Sequence, residues 1–108
     1  QGRQIRRAQL QELTRLLQPI AGHRPMIVGG DFNAPAGDAI YRLLRGILKD
    51  SFREAGQGWG NTGINDLPVS RPDQVWINHS SVATRVRAGK TKHSDHRMVV
   101  CDVVLQTP

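Results

Sequence analysis

The period of the apolar residues changes along the chain, and that change restricts the possible folds more than any other feature. From Ile5 onward Leu10, Leu13, Leu16, Leu17 and Ile20 recur at three- and four-residue intervals among Arg, Gln and Glu, which predicts an amphipathic helix. Pro19, Gly22 and Pro25 are expected to end it. Met26-Ile27-Val28 is a short apolar run between Pro25 and Gly29, and it predicts a strand buried on both faces. A turn through Asp31 to Gly37 follows. Asp38 then suits the N-cap of a second helix with Ile40, Leu43, Leu44 and Ile47 on one face and Gly46 near its end. Residues 56 to 72 hold Gly56, Gly58, Gly60, Gly63, Pro68 and Pro72 without periodicity and predict a long loop. Three strands follow, Asp73 to Asn78, Val82 to Arg87 and Met98 to Leu105, with Pro72 placed just before the first. The class is α+β, a mixed and mainly antiparallel sheet with helices on one face.

The chain has 108 residues. Scaling gives roughly 6,000 Å² of surface for a compact fold of this mass, which allows one modest core and no second one. An apolar fraction of 38% with 22% charged residues excludes a disordered chain. No apolar run approaches the roughly 20 residues of a membrane span, so no membrane contact is expected within this segment. The single cysteine, Cys101, excludes an internal disulfide framework and a cysteine-based zinc site. Fifteen basic residues against nine acidic ones leave a formal charge of +6. Arg85, Arg87, Lys90, Lys92 and Arg97 lie close together in sequence, a density that suits a phosphate-bearing substrate and equally fits a solvated basic surface. The five aromatic residues are scattered, which argues against a base-stacking platform.

Three groups at strand ends carry chemistry: Gly30-Asp31-Phe32-Asn33-Ala34-Pro35, Arg71-Pro72-Asp73-Gln74-Val75 and Ser94-Asp95-His96-Arg97. Together they offer three carboxylates, an amide and an imidazole, a set suited to phosphate-ester hydrolysis. A carboxylate can orient water or take its proton, an amide can donate to a non-bridging oxygen, and an imidazole can stabilise the phosphoryl charge. A carboxylate held against the imidazole would fix its tautomer and favour its charged form. Remaining carboxylates could hold Mg²⁺. Each group alone also fits a turn or a strand start. His93 and His96 could suggest a transition-metal site, but no third nitrogen or sulfur ligand accompanies them.

In this order and spacing the groups resemble the endonuclease/exonuclease/phosphatase superfamily, the deoxyribonuclease-like fold. The resemblance covers nearly the whole chain. It rests on Gly-Asp-Phe-Asn-Ala-Pro and Ser-Asp-His, and Gly58-Trp59-Gly60-Asn61-Thr62 looks like the family's substrate-side loop. It implies that Asp31 activates the attacking water and Asn33 holds Asp31 and contacts phosphate. It also implies that His96 lies against the scissile phosphate with Asp73 as partner, that Asp95 helps bind the metal, and that Arg71 and Thr62 lie beside the substrate. Pro72 stands where the family has an aliphatic residue.

The family's domain is a two-layered sandwich of two similar halves with the site between them, and every motif here belongs to the second. Residues 1–108 are therefore expected to be the C-terminal half, with the N-terminal half absent. The first half would supply an asparagine and a metal-binding glutamate, for which this sequence has no candidate; Glu12 and Glu54 are its only glutamates. The expected function is the C-terminal part of a Mg²⁺-dependent phosphoesterase acting on phosphodiester or phosphomonoester bonds of nucleic acid or a small phosphate ester. The fragment alone is expected to be inactive, with Mg²⁺ or Mn²⁺ weakly bound or absent. The alternative is a non-catalytic half-domain that binds a protein partner or a phosphate polyanion. Expected partners are the substrate, the first half of the domain, and a second copy of the chain through the exposed sheet face. The chain starts at Gln1 without a signal peptide, which leaves the compartment open and an upstream membrane tether compatible with this segment.

Overall fold

The computed structural model describes residues 2–32, 39–56, 73–92 and 94–107. Helix α1 spans Gly2–Ala21. Leu10 is buried on it, and Leu13 and Leu17 pack against the same cluster. Thr14, on the buried side, satisfies its hydroxyl by donating to the Leu10 carbonyl at 2.8 Å. Pro19 lies inside the helix instead of ending it. In the last turn a missing N–H leaves a single carbonyl without its helical donor, a smaller penalty than a mid-helix proline incurs. The chain turns after Ala21, where the His23 N–H returns to the Ile20 carbonyl at 3.1 Å.

Strand β1 covers Ile27–Asp31 and a 3-10 turn covers Ala39–Tyr41. Helix α2 is Arg42–Arg45, β2 is Leu48–Asp50 and α3 is Ser51–Ala55. Strands β3, β4 and β5 are Asp73–Asn78, Val82–Gly89 and Met98–Val104. β3 lies between β1 and β2 in a three-stranded antiparallel sheet, while β4 and β5 form a separate antiparallel hairpin.

Alternation along β3 sorts the interior into two clusters. Trp76 points to the helical side, where it joins Leu10, Ile40, Tyr41, Leu44 and Leu48. Ile77 points the other way, onto Ala83 and Val86 of β4, with Val99, Cys101 and Val103 of β5 packed around it. In the hairpin Ala83, Val86 and Ala88 face Val103, Cys101 and Val99, and a bulge between Ala83 and Arg85 keeps this row inward. Phe52 and Ala55 of α3 pack on the hairpin side, so this short helix lies apart from the layer formed by α1 and α2. Asp50 caps α3 by accepting from the Phe52 N–H at 3.1 Å. Glu54 ties α3 to the hairpin, accepting from the Ala83 N–H at 2.6 Å and pairing with Lys49 at 2.6 Å.

β1 differs from the strand expected. Val28 packs on the helical cluster, but Ile27 remains 52% exposed on the opposite face. The hairpin covers β3 and leaves β1 open, so only one face of β1 is buried. The second helix is also shorter than expected: Leu43 is exposed, and the expected cap Asp38 lies outside the described residues. At the far end Asn78, fully buried, binds three segments. Its Oδ1 accepts from the Met26 N–H and the Ser81 hydroxyl, and its Nδ2 donates to the Gln106 carbonyl at 3.0 Å.

Candidate active site

The register of β1 on β3 sets Asp31 directly opposite Asp73. Directly paired residues project to the same face of a sheet, so both carboxylates stand on the side of the hairpin. Gly30, just before Asp31, has φ +157°. Side-chain-bearing residues rarely adopt that conformation, so a glycine here lets the backbone aim Asp31 without strain.

The third group arrives from the hairpin. His96 lies two residues before β5, and its N–H donates to the Ser94 hydroxyl at 3.1 Å. This local turn faces the imidazole toward the strand ends. His96 Nδ1 lies 2.6 Å from Asp73 Oδ2 and 4.0 Å from Asp31 Oδ2. The hydrogen bond to Asp73 raises the His96 pKa above the ordinary imidazole value. Partial burial opposes this, and the charges of Asp73, Asp31 and Asp95 add to the rise. With Nδ1 held by a carboxylate, Nε2 is the nitrogen left for a ligand.

Asp31, Asp73 and His96 each offer one ligand atom, all within 4.8 Å of one another. Hard cations such as Mg²⁺ take oxygen ligands and keep several waters, so the two carboxylates suit one. The imidazole does not, because Nδ1 is engaged by Asp73 and nitrogen is a poor Mg²⁺ donor. Asp95 is exposed beside His96, acts on it through charge, and is not one of the three clustered ligands. Asn33, Thr62, Arg71 and His93 lie outside the described residues.

Ser94 has a part that its motif alone does not assign, although a Ser two residues before a functional residue is a recognisable turn signal. Gln74 likewise carries no signal in the sequence. It is buried behind Asp73, accepts from Trp76 Nε1 at 2.8 Å and donates to the Tyr41 hydroxyl at 3.3 Å. Tyr41 in turn meets Phe32 edge-on at 5.9 Å, so one buried polar and aromatic chain supports both strand ends.

Two opposed carboxylates, one of them in hydrogen-bond contact with an imidazole, thus meet at the strand ends. The model of the endonuclease/exonuclease/phosphatase family matches residues 2–96, and the chain belongs to this family. Its members are hydrolases, nucleases and phosphatases among them, and commonly use divalent metals. No curated protein matches the chain. Among solved structures, the endonuclease/exonuclease/phosphatase from Bacteroides vulgatus superposes with a TM-score of 0.78 at 21% identity, over 94% of this chain and 44% of that one. A conserved protein of unknown function from Enterococcus faecalis V583 gives 0.76 at 19%, over 94% and 46%. A mannosyl-6-phosphatase from Bacteroides thetaiotaomicron gives 0.65 at 22%, over 91% and 44%. The chain thus spans less than half the length of these solved relatives.

Proposed function

We propose that this chain is the catalytic-motif half of a metal-dependent phosphoesterase that cleaves phosphodiester or phosphomonoester bonds. The observation that carries the reading is the 2.6 Å contact of His96 Nδ1 with Asp73, with Asp31 opposite. Asp31 would orient a water molecule and take its proton as the oxygen attacks phosphorus. His96, charged through Asp73, would donate from Nε2 to a phosphoryl oxygen and stabilise the negative charge that builds there. Asp73 touches no substrate in this scheme; it positions the imidazole. Asp95, beside the cluster, would help hold Mg²⁺ or Mn²⁺ together with ligands from the remaining half, and the ion would polarise the phosphoryl oxygens when bound. Asn33, Arg71 and Thr62 would complete the phosphate contacts.

The remaining half of the domain would cover the open face of β1 and supply further metal ligands. Alone, residues 1–108 would bind Mg²⁺ weakly and turn over little substrate. The test is hydrolysis of p-nitrophenyl phosphate, its bis-ester and a labelled oligonucleotide by the chain alone and by a longer protein that includes the other half. In that longer protein, Asp31→Asn and His96→Gln should each lower kcat by about 10²- to 10⁴-fold with little change in KM. Unchanged turnover in both variants would leave the second reading, a non-catalytic half-domain that binds a partner.

A further inference from the structure

Ser51 is fully buried at the start of α3, and its Oγ meets no hydrogen-bond partner among the described residues. A serine at the start of a helix commonly caps it, but here Asp50 already accepts from the Phe52 N–H. The helix therefore has no use for this hydroxyl. Thr14 and Ser81, which are also buried, both donate to a neighbour, to the Leu10 carbonyl and to Asn78 Oδ1. A buried hydroxyl that loses water and gains no partner is costly, and native folds rarely keep one.

Ser51 lines a cavity with about 10 Å³ open to a water molecule, together with Asp73, Gln74, Val75, Val86 and Val99. It lies on the hairpin side of β3, where the Asp73 carboxylate stands. β2 pairs with β3 only as far as Asp50 opposite Trp76, and the chain then turns into α3, which leaves this space beside Val75 and Gln74. The size is at the lower limit for one water, roughly 10–15 Å³, and admits nothing larger. A buried water needs at least two polar partners. The Ser51 hydroxyl can donate, and an ionised Asp73 accepts. Gln74 adds its main chain, since its side chain is engaged with Trp76 and Tyr41 on the other face.

We infer that this cavity binds one water molecule between the Ser51 hydroxyl and the Asp73 carboxylate, and that Ser51 is a positioning residue for the Asp73–His96 pair. The water accepts from Ser51 and donates to Asp73, while Asp73 Oδ2 holds His96 Nδ1 at 2.6 Å. The carboxylate is then fixed from α3 as well as from β3. The consequence for turnover rests on the phosphoesterase reading; the water itself does not.

The test uses residues 1–108 without metal. Water-selective NMR should show contacts from one long-lived water to the methyl groups of Val75, Val86 and Val99, and these should be lost in Ser51→Ala. The denaturation midpoint of Ser51→Ala should fall, because the water is left one partner short. Removing a hydroxyl that had no partner would instead leave the midpoint unchanged or raise it. The His96 Nδ1–H should exchange with solvent faster in Ser51→Ala. Ser81→Ala, which breaks a buried hydroxyl bond at the far end of β3, is the control: its midpoint should fall without faster Nδ1–H exchange. A dry cavity in the unmodified chain, or a midpoint of Ser51→Ala that does not fall, would overturn the water. Unchanged Nδ1–H exchange in Ser51→Ala, or an equal change in Ser81→Ala, would overturn the positioning role. The phosphoesterase reading fails on a different measurement, the turnover of the longer protein with metal.

Discussion

His96 keeps its proton to higher pH than a free imidazole because Asp73 accepts its Nδ1–H at 2.6 Å. The sign of the linkage follows. A pKa raised in the folded state contributes stability that is complete below about 6.5, the unfolded value, and is lost as pH rises through the folded value. NMR titration of the His96 ring in metal-free buffer should give a midpoint above that value, and Asp73→Asn should bring it back toward about 6.5. A midpoint that stays raised in Asp73→Asn would assign the shift to Asp31 and Asp95. Asp31, Asp73 and His96 are all legible as residues, because short polar groups at strand ends stand out against apolar runs. Their distances are not: the opposition of Asp31 and Asp73 depends on a register between strands more than forty positions apart in the numbering.

At the scale of elements, α3 depends on two local devices. Asp50 caps it, and Asp50→Ala should cost about 1 kcal/mol in chemical denaturation. Gly56 ends it, and a Cβ there would overlap the carbonyl and ring of Phe52. Gly56→Ala should therefore lose about 1–3 kcal/mol, and a loss near zero would mean that Phe52 moves aside freely. Neither β2 nor α3 is visible in the sequence. Leu48-Lys49-Asp50 offers one apolar residue and no alternation long enough to register, and five residues make less than two helical turns. β3, β4 and β5 are legible because Val75, Trp76, Ile77, Val82, Val86 and the Val99 to Val104 run are rich in β-branched and aromatic strand formers. The expectation for β1 fails at the level of faces, since an apolar run of three residues does not tell whether a second layer reaches it.

The whole molecule leaves apolar surface uncovered on two sides. Ile27 is exposed on β1, and Val82, Met98, Val100 and Val104 are exposed on the outer face of the hairpin. Among the described residues no helix is long and apolar enough to cross a membrane. The isolated chain should self-associate, with an apparent mass by light scattering that rises with concentration, and Val100→Lys/Val104→Lys should reduce the rise. A constant monomer mass for the unmodified chain would exclude this face as an interface between copies. The hairpin also carries His96 at one end and is fastened by Asn78 at the other. Its inward row includes Cys101, half-buried opposite Val86 and the one thiol in the sequence. A bulky thiol reagent at Cys101 should therefore report any parting of the hairpin from β3, and such a parting would carry the imidazole away from its carboxylates.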